Sequence, residues 1–256
     1  MRWICLVLAP VAARAEDLTA CDKATEAQYA SNFDLAITNY SHCLKDGSLS
    51  GRNRAITLYN RGATYLAKNQ DDAARADFDA AIGLMPELWP AYSSRGLIYF
   101  KKGDYDSALA DYDTAIRRHW WAPDILVGRG NVHDAMGNYN RALADFNAAL
   151  RRDDKNEPAY VDRGATYDHM GDYDHAIADE DVAIRLDSGD PGPRINRALA
   201  RIHKGEADKG HPRSKCRDPA RSRYLARLEH AVLRCRNSGP AVRGDRRLRP
   251  RRAAAA

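Results

Sequence analysis

The charged side chains with the most regular spacing in this chain are an arginine and an aspartate. Each recurs every 34 residues, the arginine at Arg61, Arg95, Arg129, Arg163 and Arg197 and the aspartate at Asp77, Asp111, Asp145 and Asp179. A guanidinium and a carboxylate can form a bidentate ion pair, which serves either binding or structure. A binding site would differ from one unit to the next, whereas these residues recur throughout. The spacing therefore predicts a structural ladder of ion pairs.

Sequence motifs for catalysis or cofactor binding are absent. The chain has no glycine-rich phosphate loop, no zinc-type spacing of Cys or His and no nucleophile motif. The repeat histidines (His133, His169, His175) fit exposed or half-buried helix positions better than catalytic ones. A metal site built from His203, His211, Cys216, His230 and Cys235 is rejected, because most of these residues lie in an atypical tail. We expect no enzymatic activity, no cofactor, no metal and no small-molecule substrate.

Four copies of one seven-residue motif carry the period of the chain. Each has Arg followed by Gly at its centre, and the copies are Tyr59–Tyr65, Ser93–Tyr99, Val127–His133 and Val161–Tyr167. A second half follows in constant spacing, with a turn glycine, an alanine, the recurring aspartate next to a large residue, and an Ala-Ile or Ala-Leu pair. A fixed period of this kind indicates a repeat array, in which each unit buries its apolar face against its neighbours.

This pattern resembles the tetratricopeptide repeat, a 34-residue helix-turn-helix unit with small residues where its helices cross. The resemblance covers about residues 17–205. Apolar residues three and four apart, as between Tyr105 and Ile116, make one face of a helix, and Gly-Asp, Gly-Asn and Asn-Gln pairs are turn signals. The predicted class is all-α, and the resemblance implies a right-handed α-solenoid followed by an irregular C-terminal tail.

The period divides the chain into units. Residues 17–54 form a degenerate first repeat, the complete repeats follow, and residues 191–209 keep only the first helix of a further one; the complete repeats are 55–88, 89–122, 123–156 and 157–190. An array that stops after a first helix is expected to expose an apolar face and to self-associate weakly. Alignment with the other units brings Cys21 and Cys43 to facing helices of the first repeat. They form either a disulfide, in an exported protein, or two buried thiols that pack as small apolar side chains.

Residues 1–15 have the features of a short secretory signal. Arg2 is basic, residues 3–11 form an apolar run, and Ala13-Arg-Ala15 fits the cleavage rule. A signal predicts a periplasmic or secreted protein of bacterial type. The alternative is a frayed first helix, in which case the protein would be cytoplasmic.

The last 46 residues differ in composition from the rest of the chain. From His211 onward there is no Ile, Phe, Trp, Thr, Met or Gln, and 13 of the 46 residues are Arg, which is typical of GC-rich DNA translated out of frame. Read from the second nucleotide of each codon, Gly210 to Ser222 permit Ala-Ile-x-Asp-x-x-Ala-Ala-Ile-x-Leu-Asp-Pro, the spacing of the helix that begins at Ala176-Ile-Ala-Asp179. One surplus base near Lys209 would produce this. Residues 210–256 are therefore predicted to be a frameshifted, disordered Arg-rich tail.

The tail suggests a second function if its reading frame is taken as it stands. Its apolar residues would form one stripe opposite arginine, suited to an anionic membrane, and the basic run 246–252 could contact nucleic-acid phosphates. Residues 205–256 hold 15 basic and 5 acidic side chains, whereas residues 1–204 hold 25 basic and 30 acidic ones. Only the tail therefore has the positive charge needed to bind an anionic membrane or nucleic acid. The alternative function is thus a peripheral membrane or nucleic-acid binder. We expect the repeat array itself to bind neither.

The resemblance also implies a binding face. Arrays of this family bind peptides on their concave side, which is made by the first helix of each unit. In this chain the matching positions are Tyr59, Asn60, Ala63, Leu66, Ser93, Leu97, Phe100, Lys101, Val127, Asn131, Asp134, Val161, Asp162, Ala165, Asp168 and His169. One end of this face is aromatic and apolar, and the other end is acidic.

The side chains of this face indicate the kind of partner. Family members with a carboxylate clamp hold a chain-terminal carboxylate with Lys, Arg and Asn. Only Lys101, Asn60 and Asn131 match that pattern here, and the acidic end would repel a carboxylate. We therefore predict a non-enzymatic interaction scaffold whose partner is a protein or peptide segment with basic and apolar side chains.

Overall fold

The computed structural model describes residues 19–45, 49–119 and 122–210. These ranges hold eleven α-helices and no strand. In chain order the helices are α1 Thr19–Tyr29, α2 Phe33–Lys45, α3 Gly51–Ala67, α4 Asp71–Leu84, α5 Trp89–Lys101, α6 Tyr105–Arg118, α7 Pro123–Ala135, α8 Tyr139–Leu150, α9 Glu157–His169, α10 Tyr173–Leu186 and α11 Gly192–Gly210. The predicted all-α class is confirmed.

Successive helices pack in pairs, one pair for each predicted unit. The pairs run from α1 with α2 to α9 with α10, and α11 packs against α10. Among the odd-numbered helices, α5 also contacts α7, α7 contacts α9 and α9 contacts α11. They therefore form the inner layer of a right-handed solenoid, and the even-numbered helices form the outer layer.

The turn inside each pair depends on one residue with a positive φ angle. These residues are Ser31, Asn69, Gly103, Gly137 and Gly171, with φ of 57°, 59°, 77°, 75° and 80°. Glycine adopts this left-handed conformation without steric cost, and asparagine tolerates it. Each such residue follows the first helix of a pair and reverses the chain direction, so that the second helix packs against the first.

The two helices of a pair cross where a small residue meets an aromatic ring. A Cβ atom on Gly130 would lie 2.6 Å from Cε1 of Phe146, and one on Gly62 would lie 2.7 Å from Cε1 of Phe78. Both rings are fully buried. The glycines are therefore required for the two helices of a pair to pack closely. The hydrophobic core lies along these helix crossings.

The last described helix departs from the pattern of the other units. Gly205 occupies the position of Gly171 in the repeat, yet it lies inside α11, which continues to Gly210. The predicted apolar open face is wrong for the described side chains of α11, because its exposed positions are Arg194, Ala198 and Arg201. Its larger apolar side chains, such as Leu199 and Ile202, are partly covered instead.

Candidate partner-binding face

The predicted ladder of ion pairs is present and runs along the helix crossings. Arg95 donates through Nε and Nη2 to the two carboxylate oxygens of Asp111, at 2.8 and 2.7 Å. The same bidentate pair joins Arg61 to Asp77, Arg129 to Asp145 and Arg163 to Asp179. The hydrogen bond to Asp111 raises the pKa of Arg95. These residues stabilise the solenoid and are not available for a ligand.

Each ladder arginine also reaches the preceding unit. Nη1 of Arg95 donates to Asp79 at 2.6 Å, and Nη1 of Arg129 donates to Asp113 at 2.6 Å. The carboxylates of the in-unit pairs are buried, whereas Asp79 and Asp113 are exposed by 47% and 45%. The arginine therefore links two units, and its in-unit contact is the better shielded one.

Four of the residues predicted for the concave face lie in the core. Tyr59, Asn60, Ala63 and Val127 are 3 to 5% exposed. Tyr59 packs against the ring of Phe78, and Val127 belongs to the same core cluster as residues of α8 and α9. Assigning them to the binding face was wrong, because these positions of a first helix contact the neighbouring helices. The other predicted residues are half-buried or exposed.

The apolar part of the face is formed by α3 and α5. Leu66 packs at the edge of the core, and Phe100 lies 6.1 Å from the ring of Tyr105. Leu97 is half-buried, and the hydroxyl of Ser93 donates to the carbonyl of Pro90. This part presents partly exposed apolar side chains that a partner can cover.

The three residues that match a carboxylate clamp are engaged elsewhere. Nζ of Lys101 pairs with Asp71 at 2.7 Å, Nδ2 of Asn131 donates to Asp162 at 2.8 Å, and Asn60 is buried. Lys101 and Asn131 are therefore each paired with a carboxylate of this protein, and Asn60 lies in the core.

The acidic end of the face is built by α7, α9 and α11. Asp134 accepts a hydrogen bond from Thr166 at 2.8 Å and pairs with His169 at 3.1 Å. One helix further, Asp168 pairs with Nδ1 of His203 at 3.0 Å. Val161 and Ala165 on α9 are half-buried. The predicted acidic residues are thus contributed by two neighbouring first helices, α7 and α9.

The pKa of Asp162 is raised by burial and, to a smaller extent, by neighbouring negative charges. Burial raises this pKa to about 6, against the hydrogen bond from Asn131, and the charges of Asp134 and Glu157 raise it further. Burial, with the charges of Asp190 and Asp187, also raises the pKa of Glu157. A cationic side chain placed here would be attracted by several carboxylates at once.

Comparison with protein families identifies the repeat. Models described as tetratricopeptide repeat match residues 55–87, 89–119 and 127–191. The chain belongs to the tetratricopeptide repeat family. Among curated proteins no match was found.

Solved tetratricopeptide structures share the fold at low sequence identity. A protein from Parabacteroides merdae ATCC 43184 is 18% identical with a TM-score of 0.63, covering 86% of this chain and 87% of its own. The protein TTC0263 from Thermus thermophilus is 20% identical with a TM-score of 0.60, covering 73% and 99%. YrrB, a tetratricopeptide protein with an unusual peptide-binding site, is 19% identical with a TM-score of 0.54, covering 70% and 91%.

One buried carboxylic acid of this tetratricopeptide array was missed by the sequence analysis. Glu180 stands where the other units have Phe78, Tyr112 and Phe146, and it is 1% exposed. Burial raises its pKa to about 8, and the negative charges of Asp179, Glu157 and Asp162 add to the effect. The replacement of an aromatic residue by Glu is visible in the sequence and was the available signal.

The histidine and threonine partners of the acidic end were also missed. Thr166 and His203 contact Asp134 and Asp168 from the neighbouring first helix, across separations of 32 and 35 residues. A second set of ion pairs joins the end of one first helix to the start of the preceding outer helix, as in Lys102 with Asp72 at 2.5 Å. These contacts depend on how units stack, which spacing within one unit does not show.

The two cysteines of the first tetratricopeptide unit are joined. Cys21 on α1 and Cys43 on α2 form a disulfide, with their Cα atoms 5.6 Å apart. This distance is within the ordinary range for such a bond. The signal segment 1–15 and the tail 211–256 lie outside the described residues. Of the rejected metal set only His203 is described, and it pairs with Asp168.

Two further properties concern only the described part of the chain. None of its helices combines the length and the apolar character needed to cross a membrane. No group of three His, Cys, Asp or Glu side chains in residues 19–45, 49–119 and 122–210 is placed to hold a metal ion.

Proposed function

We propose that this protein is a non-enzymatic scaffold that holds a peptide or partner helix on the inner face of its solenoid. The observation that carries the proposal is the pair of carboxylates Asp134 on α7 and Asp168 on α9, next to the partly exposed apolar side chains of α5. A partner with basic and apolar side chains complements both parts. Apolar burial supplies affinity, and the carboxylates set orientation and the association rate.

The shared fold supports a binding role of this kind. Tetratricopeptide arrays are interaction modules, and YrrB, which has the same fold, carries an unusual peptide-binding site. The engaged state of Lys101 and Asn131 argues against recognition of a terminal carboxylate. The proposed ligand is therefore an internal cationic segment.

A panel of labelled peptides tests the chemistry of the ligand. Three fluorescein-labelled peptides of equal length and equal leucine content would carry Lys, Gln or Glu at the remaining positions. We expect the Lys peptide to bind best at pH 7.5, measured by fluorescence anisotropy. The double variant Asp134→Asn with Asp168→Asn should weaken it by about tenfold, because two of the facing charges are lost.

A matched variant distinguishes the effect of charge at the proposed face on peptide affinity from the effect of net charge. Asp106 and Asp154 are exposed and lie outside the proposed face, so Asp106→Asn with Asp154→Asn removes the same net charge. It should leave the affinity within about twofold, since distant surface charges are screened. Equal weakening by both double variants would reduce the effect to net charge and contradict the proposed face.

We also propose that the chain is exported. The support is the pairing of Cys21 with Cys43, because disulfides persist in oxidising compartments and are rare in the cytosol. N-terminal sequencing of the protein from its native cells would start at Glu16 if the segment 1–15 is removed. Recovery of an intact N-terminus together with free thiols at Cys21 and Cys43 would contradict export.

A further inference from the structure

The outward side of α11 differs from the same side of every other first helix. Gly62, Gly96, Gly130 and Gly164 are all buried beneath the second helix of their own unit. Ala198 occupies the equivalent position and is exposed, as are Arg194 and Arg201 on the same side. These residues define the open face of α11.

The ion-pair ladder is half complete at this face. Arg197 contacts Asp181 of the preceding unit through Nη1, as Arg95 contacts Asp79 and Arg129 contacts Asp113. In the four other units the same arginine also binds an aspartate sixteen residues later. For Arg197 that position is Arg213, and among the described residues no second carboxylate contacts Arg197.

The second helices that fill the equivalent positions share one pattern. Each has the form Ala-x-x-Asp-x-x-x-Ala, with both alanines almost fully buried and the aspartate held by the ladder arginine, as in Ala142, Asp145 and Ala149. The other copies are Ala74, Asp77 and Ala81; Ala108, Asp111 and Ala115; and Ala176, Asp179 and Ala183. Small residues allow the close crossing, and the carboxylate neutralises a half-buried guanidinium.

We infer that the open face of α11 is the docking surface for a twelfth helix of this pattern, encoded by codons 210–217 in the second reading frame. That frame permits alanine at positions 210 and 217 and aspartate at position 213, so the aspartate falls sixteen residues after Arg197. The register of this aspartate relative to Arg197 follows from the nucleotide sequence. The missing second contact of Arg197 is a separate observation from the structure. Gly205 is helical, whereas Gly103, Gly137 and Gly171 at the equivalent position of complete units have a positive φ and form the turn.

The experiment compares two full-length products of the gene. One retains the present frame, and the other has a single base removed between codons 209 and 210. Amide hydrogen exchange is measured along α11, at residues 192–205. We expect the frame-restored protein to exchange about tenfold more slowly there, because a packed helix opens less often. Arg197→Gln should abolish most of that protection, whereas Arg201→Gln on the same face should not.

A second measurement decides the question if the frame-restored protein fails to fold. A synthetic peptide with the second-frame sequence of codons 210–222 is added to the full chain in its present frame, and a peptide with asparagine at position 213 is the control. Slower exchange in α11 with the first peptide only supports the inference. Equal exchange in both gene products and with both peptides would overturn it. Protection of α11 that rises with protein concentration would also overturn it, by assigning the face to a second copy of the chain.

Discussion

At the scale of single residues, the arginine ladder makes two carboxylates directly comparable. Asp111 and Asp79 both bind Arg95, but Asp111 is buried and bidentate whereas Asp79 is 47% exposed and holds one hydrogen bond. Breaking a buried pair leaves an uncompensated charge, and an exposed pair is screened by water. The two contacts of one guanidinium should therefore differ strongly in their contribution to stability.

Substitution of each carboxylate tests this difference. Asp111→Asn should lower the free energy of unfolding by about 3 kcal/mol, and Asp79→Asn by less than about 1 kcal/mol. Urea denaturation followed by circular dichroism measures both. Equal losses of unfolding free energy in the two variants would mean that burial does not determine how much each ion pair contributes to stability.

The buried Glu180 predicts a dependence of stability on pH. Its folded-state pKa is raised to about 8, so between pH 5 and pH 9 the unfolded chain releases this proton more readily than the folded one. Stability therefore falls as pH rises through this window, and Glu180→Gln should remove on the order of 2 kcal/mol of the fall. Asp179, Glu157 and Asp162 face the same group and remain in the variant. Parallel stability curves for the two proteins from pH 5 to pH 9 would rule out a neutral buried Glu180.

At the scale of helices and turns, close crossing requires glycine at some positions and tolerates other residues elsewhere. Gly130→Ala would place a methyl group 2.6 Å from the buried ring of Phe146, which has no room to move. We expect a loss of about 2 kcal/mol in the free energy of unfolding. The control is Gly83→Ala near the end of α4, where nothing lies within 4 Å of the added atom. That change should be neutral or stabilise by up to about 1 kcal/mol, and a similar loss for both variants would refute the packing argument.

The helices, turns and ladder could be predicted because they depend on contacts within one period. The arginine and the aspartate of a unit are only sixteen residues apart. Glycine at a turn position predicts a positive φ, which Gly103, Gly137 and Gly171 have. The burial of Tyr59 and Val127 could not be predicted in the same way. A first helix divides its surface between the inner face and the next unit, and that division depends on how units stack.

At the scale of the whole molecule, charge is distributed unevenly along the solenoid. The ladder neutralises the carboxylates at the helix crossings, whereas Asp134 of α7 and Asp168 of α9 lie at one end of the inner face. The pKa of Asp162 at about 6 places part of this charge under the control of pH. A bound cation favours the ionised carboxylate, so the partner should hold more tightly as this group ionises.

The affinity for a basic peptide should therefore rise with pH. Between pH 5 and pH 7.5 Asp162, whose pKa is about 6, loses its proton and adds a negative charge to those of Asp134 and Glu157. We expect the Lys peptide to bind several-fold more tightly at pH 7.5, as judged by anisotropy titrations at constant ionic strength. An affinity that is flat over this range would remove Asp162 from the binding face.

The most direct measurement is to map where a bound peptide lies. A Lys and Leu peptide with a photoreactive benzophenone group would be cross-linked to the full chain and the attached residues found by mass spectrometry. The proposed face predicts cross-links to α5, α7 and α9, near Phe100, Ala165 and Asp168, that an excess of unlabelled peptide suppresses. Suppressible cross-links confined to the outer helices α4, α6, α8 and α10 would contradict it.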